Sequence, residues 1–143
     1  RQRVGIAQAL LGSPQLIILD EPTVGLDPFA RRQMWDLLKQ LNERGMTILF
    51  TTHYIDEAEY LCRRIALIDK GQVKRIESPR VLIKELGCVA VDAFDGNRTE
   101  SRFFAEREEA LAFAAGLENE FVVRNATLED VFLTLVGKKL EVK

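Results

Sequence analysis

The chain has 143 residues, 47% of them hydrophobic and 29% charged, with a formal net charge of −2. These values suit one ordinary globular domain, or one with a small appendix, and they supply no general basic field for nucleic acid. No apolar run approaches the ~20 residues of a membrane-spanning helix.

Ile6, Ala9 and Leu10 are spaced for one helix face. The chain thus opens on Arg1 inside helical sequence with no cap before it, and a piece of a longer protein is expected. After a Ser13-Pro14 break, residues 15–20 form a continuous apolar run, which predicts a strand buried on both faces. Residues 28–44 read as a helix, because Met34, Leu37, Leu38 and Leu41 recur at helical spacing. Asp27 can cap it, Pro28 suits its first position and Gly45 can end it. Thr47 to Thr52 is a second buried strand. Ile55, Ala58 and Leu61 predict a short helix, with Asp56 and Glu57 at its positive end. Ile65 to Ile68 is a third strand, and Asp69-Lys70-Gly71-Gln72 turns the chain into Val73 to Ile76 as a hairpin. Pro79 opens a short helix to about Leu86.

From Gly87 the character changes. Cys88 to Phe94 predicts a strand, Asp95-Gly96-Asn97 a turn, and Phe103-Phe104 a short returning strand. Residues 106–116 read as a helix, Phe121 to Val123 as a strand and Thr127 to Leu135 as a final helix. In that last element Thr127 and Asp130 form a pair like a capping box, and Leu128, Val131, Phe132 and Leu135 share a face. The domains expected are therefore residues 1–86, an α/β unit with parallel strands and crossover helices, and residues 87–143, a small α+β appendix. Cys62 and Cys88 lack metal-ligand spacing and read as reduced thiols, so the cytosol is the expected compartment.

The chemistry concentrates at one place. In parallel sheets ligands sit beyond the carboxyl ends of strands, and there the sequence puts Asp20, Glu21 and His53. Adjacent residues at a strand end cannot point the same way, so two acids suggest two tasks. One carboxylate near a phosphate-bound Mg²⁺ suffices for a hard ion that keeps its waters. A second can orient or polarise an attacking water. A turn with two solvated acids would give the same short pattern. Asp27 has an equally good role as a helix cap. His53, the only histidine, could simply cap or pack at a helix start.

LIILDEPTVGLDP, Leu16 to Pro28, resembles the Walker B motif and D-loop of ATP-binding-cassette (ABC) ATPases. TTH, Thr51 to His53, resembles their switch-histidine loop, and RQRVGIAQALLGSPQLI resembles the helix that follows their LSGGQ signature. The order and spacing agree over residues 1 to about 80. The resemblance implies the C-terminal part of a P-loop NTPase fold, with ATP and Mg²⁺ as cofactors. It makes Asp20 the Mg²⁺ residue (through water), Glu21 the catalytic base and His53 a contact to the γ-phosphate. Asp27 would reach across a head-to-tail dimer toward a second ATPase subunit. Arg1, Gln2 and Arg3 would follow the signature as solvated helix-start residues.

THYIDEAEYLCRRIALIDKGQV and ATLEDVFLTLVGKKL resemble the ATP-binding subunits of drug-resistance-type exporters. That implies a membrane permease as partner, a cytoplasmic location at the inner face of the membrane, and no nucleic acid. Arg63 stands where that group often has an acid, and Glu77 where it often has a glycine. No G-x-x-x-x-G-K-[ST] is present. The family carries that loop, its signature, its Q-loop and its adenine-stacking aromatic before the point where this chain starts. The 143 residues alone are therefore expected to bind Mg·ATP poorly and to lack substantial ATPase activity. A non-transport ABC ATPase of DNA repair or translation, and a truncated interaction module without catalysis, are the competing readings.

Overall fold

The computed structural model describes Gly5, Ile6, Gln8 and residues 10–137. The chain forms two compact units, Arg1–Leu61 and Cys62–Lys143.

In the first unit, the helix expected at the start is present at Gly5, Ile6, Gln8 and Leu10, while Arg1, Gln2, Arg3 and Ala9 lie outside the described residues. Strand β1 (Leu16–Asp20), helix α1 (Pro28–Glu43), strand β2 (Thr47–Thr51) and helix α2 (Ile55–Leu61) follow. The two strands pair in parallel, from Leu16 opposite Thr47 to Asp20 opposite Thr51, so α1 is the crossover that parallel pairing requires. Its ends are as the sequence predicts. The Asp27 side chain accepts from Ala30 N at 2.8 Å, Pro28 follows, and Gly45 leaves the helix at φ 94°. Its apolar stripe packs with the first helical segment and the sheet, where Ile6, Met34 and Leu38 are buried together. Each such side chain contributes roughly 1.5–3 kcal/mol by leaving water.

One expectation fails. The strands are covered on one face only: Ile17 is buried, whereas Ile18 is 71% exposed and Leu49, its register partner, 59%. The continuous apolar run suggested two-sided burial, but this unit packs its helices against a single face of β1 and β2. Asp20 and Thr51 share the parity of Ile18 and Leu49, and so lie on the open side.

The second unit begins with β3 (Ile65–Asp69) and β4 (Gln72–Glu77), an antiparallel hairpin closed by Lys70 and Gly71 at φ 50° and 72°. Two positive φ values in a two-residue loop match the right-handed twist of the strands. The ladder shifts by one residue between Leu67, opposite Arg75, and Ile68, opposite Val73, which is a β-bulge. Helix α3 (Pro79–Leu86) is capped by Ser78 and stops at Gly87. That glycine sits at φ 131°, where a Cβ would stand 2.9 Å from Phe104 N.

Strands β5 (Val89–Phe94), β6 (Thr99–Phe104) and β7 (Phe121–Asn125) form an antiparallel sheet with β5 in the centre. Helix α4 (Arg107–Ala114) covers one face through Val89, Val91, Ala110 and Ala114. Helix α5 (Leu128–Gly137) packs against α3. It is tied to the sheet by Arg124, which bonds Asp92 and Asp130 at 2.6–3.2 Å. The capping pair forms as expected, with Thr127 N donating to Asp130 Oδ2 at 2.8 Å. The compact units divide between Leu61 and Cys62, so the hairpin and α3 both stand in the second unit, whereas the sequence reading assigns residues 62–86 to the first domain.

Candidate active site

The site lies where β1 and β2 end side by side. Asp20 and Thr51 are the last register pair, and the Thr51 hydroxyl donates to Asp20 Oδ1. One residue on, Glu21 N–H donates to Thr51 O at 3.1 Å and approaches its Oγ1 at 3.2 Å. Glu21 adopts φ 44°. A left-handed backbone at a non-glycine residue costs about 1–3 kcal/mol and persists only where surrounding bonds over-determine it. Here the two contacts to Thr51 and the Val24 N–H bond to Glu21 O at 3.2 Å do so. The turn continues through buried Pro22 and Thr23 and through Gly25 at φ 75° before Asp27 opens α1. The reversal separates the two acids, so that Asp20 stays in the strand's alternation while Glu21 is aimed elsewhere.

Glu21 is aimed at the histidine. Its Oε1 stands 3.1 Å from His53 Nδ1, with side chains 44% and 55% exposed. A contact this open contributes little stability, so its value lies in what solvent or a ligand can reach. The imidazole packs tilted on Tyr54, with ring centroids 4.2 Å apart, and Arg31 of α1 places its guanidinium 4.2 Å over the other ring. A carboxylate beside an imidazole at the open ends of parallel strands can orient a water and take its proton.

The structure brings Asp20, Glu21 and His53 to one corner. Asp27 stands apart at the start of α1, where its recorded bonds are those of a helix cap. The donor set fits a hard cation held mainly by phosphate and water. Asp20 is an exposed carboxylate, and among the described residues no three His, Cys, Asp or Glu side chains converge as a metal cage.

Comparison with known proteins bears on this corner. A family described as "AAA domain, putative AbiEii toxin, Type IV TA system" matches residues 2–54, which hold all four candidate residues. The chain is 39% identical to Nod factor export ATP-binding protein I of Burkholderia thailandensis, over 99% of this chain and 53% of that protein. It is 40% identical to the protein of the same name from Cupriavidus metallidurans, over 98% and 53%. Among solved structures, a dimeric post-hydrolysis state of the ATP-binding cassette MJ0796 bound to ADP and Pi superposes with a TM-score of 0.50. It is 41% identical and covers 54% of this chain and 33% of that one. The chain is thus similar, over almost its whole length, to ATP-binding proteins of the ABC type. It spans about half the length of the curated relatives it matches.

The sequence reading missed several residues that shape the site. Thr51 was read only as part of a TTH motif, yet its hydroxyl touches both acidic residues. Tyr54 packs on the histidine, and Arg31 lies over the Tyr54 ring. Glu57, read as a helix-dipole acid, is fully buried and accepts from Trp35 Nε1 at 2.9 Å. Spacing gave no signal for Glu57, which stands two residues and thus over half a helical turn from Ile55 yet is the buried residue of its helix. No sequence signal marks the Thr51 bonds, which depend on register.

Among the described residues no helix is long and apolar enough to cross a membrane. Cys62 and Cys88 form no disulfide.

Proposed function

We propose that this chain is the Walker B, D-loop and switch-histidine portion of the ATPase subunit of an ABC exporter, which hydrolyses ATP to drive a membrane permease. The observation that carries the reading is the Glu21–His53 pair, 3.1 Å apart beside Asp20 at the carboxyl ends of parallel strands. Bound Mg·ATP would supply the scissile phosphoanhydride and the charge that neutralises the leaving phosphate. Asp20 would hold Mg²⁺ through water. Glu21 would orient the attacking water and accept its proton, and His53 would contact the γ-phosphate. Asp27 would face the phosphate loop of a second ATPase subunit in a head-to-tail dimer. In this reading residues 1–86 belong to the ATPase domain and 87–143 form an accessory domain. The subunit would sit on the cytoplasmic side of the membrane through its permease.

Several findings support this. The relatives named for Nod factor export align across almost the whole chain, and the cassette of known structure is dimeric and holds ADP and Pi. No phosphate-cradling G-x-x-x-x-G-K-[ST] stands in these 143 residues. The loop would therefore come from other sequence, and the 143 residues alone would bind Mg·ATP poorly. The test is affinity purification of the protein from its own membranes under mild detergent. Recovery of an integral membrane protein with ATPase activity stimulated in the complex is expected. Recovery of nucleic acid instead, with no membrane protein, would replace transport by a repair or translation role.

A further inference from the structure

We propose that Thr51 is a positioning residue of this site, and that its one hydroxyl sets both acids at once. This rests on the ATPase reading above. A threonine hydroxyl has one proton to give and two lone pairs to accept with. Here the proton goes to Asp20 Oδ1, and the oxygen lies 3.2 Å from Glu21 N. The first contact holds the carboxylate that would face Mg²⁺ in a single orientation. The second, with the Glu21 N–H bond to Thr51 O at 3.1 Å, pins the backbone at φ 44°. That conformation points the Glu21 carboxylate at His53, 3.1 Å away.

The arrangement depends on register. Only because Asp20 pairs with Thr51 across the parallel ladder can one side chain reach the acid opposite it and the amide after it. A β-branched residue is also what a strand prefers at this point. Thr51→Val therefore keeps the shape and the strand while deleting only the hydroxyl's bonds. Partners that orient metal-facing groups typically cost ~10–100-fold in metal affinity or activity when lost.

Thr51→Val and Thr51→Ser are compared in the intact ATPase subunit. Thr51→Val should lower kcat about tenfold or more with KM for ATP within about twofold, and raise the Mg²⁺ concentration for half-maximal rate several-fold. Thr51→Ser, which restores the hydroxyl, should recover most of the loss. A second readout needs no turnover. In the nucleotide-free protein, NMR should show the Glu21 amide and the ring signals of His53, the only histidine, displaced in Thr51→Val and near wild type in Thr51→Ser. Should the valine variant not fold, Thr51→Ala serves in its place. Unchanged kcat, Mg²⁺ dependence and spectra in a folded Thr51→Val protein would overturn the proposal. A wild-type subunit that hydrolyses no ATP would overturn the functional reading instead, and the spectra would still decide whether Thr51 holds Glu21.

Discussion

Replacing Trp35 by Phe should destabilise the first unit by far more than the small loss of volume suggests. Trp35 Nε1 donates to Glu57 Oε1 at 2.9 Å, Glu57 is fully buried, and its second oxygen, Oε2, has no hydrogen-bond partner among the described residues. The phenylalanine keeps the packing against Tyr60, whose ring centroid lies 5.0 Å away, but withdraws the indole donor from a carboxyl group shut away from water. A buried acceptor stripped of its partner costs about 1–3 kcal/mol, more when the group is charged, and the trimmed ring adds roughly half that again. A loss of about 3 kcal/mol is expected. The double variant Trp35→Phe/Glu57→Leu removes both polar partners and should return to within about 1 kcal/mol of wild type, because an apolar pair leaves nothing unsatisfied. The assay is urea unfolding followed by far-UV circular dichroism, since Trp35 is the only tryptophan and fluorescence would vanish with it. At a slope of ~1–2 kcal/mol per molar, the single variant's midpoint should fall by roughly 2 M. A single-variant loss under about 0.5 kcal/mol, or additive effects in the cycle, would refute the reasoning. The bond joins the helix that follows Asp27 to the helix that follows His53, so its loss should also loosen the candidate site.

Two further outcomes are expected. Arg124 bonds both oxygens of Asp130, and with help from Thr127 N–H it holds that carboxyl below the usual aspartate range. A lowered folded value means the unfolded chain binds more protons in acid, so this stabilisation is present above the unfolded value of ~3.9 and is lost as pH falls through the folded one. Asp130→Ala should cost about 2 kcal/mol at pH 7 and flatten the acid limb of the stability curve below ~pH 4; an unchanged limb in urea titrations would count against the network. At Asp27, Ala should cost about 1 kcal/mol of helix stability through the lost cap while Asn costs almost nothing. If Asp27 also serves a neighbouring subunit, Asn should still reduce ATP turnover, and wild-type turnover in the stable Asn variant would leave it a cap alone.

Much of this architecture could be read from local signals, because local physics decides it. Asp27-Pro28, Ser78-Pro79 and Thr127 with Asp130 fix helix starts through bonds made within a few residues, and Lys70-Gly71 fixes a hairpin through backbone sterics. The burial of β1 was misread because an apolar run records what a strand can face, not what this unit packs against it. At the site, Asp20, Glu21 and His53 were visible as residue types at strand ends. What joins them was not. The Thr51 bonds arise from the pairing of Asp20 with a residue 31 positions away, and the aim of Glu21 arises from a strained φ that no propensity favours. Glu57 does stand in the first turn of its helix as read, but its bond to Trp35 was not legible for the same reason, since that partner stands 22 residues earlier on another helix.

The central claim is that Glu21 handles the attacking water. It is tested most directly by Glu21→Gln in the intact ATPase subunit, with ATP binding and single-turnover phosphate release measured on the same preparation. Gln keeps the shape and a dipole toward His53 but cannot accept the proton. The account predicts ATP affinity within about threefold of wild type and phosphate release slowed by ~100-fold or more. Phosphate release at the wild-type rate, with ATP bound, would contradict it.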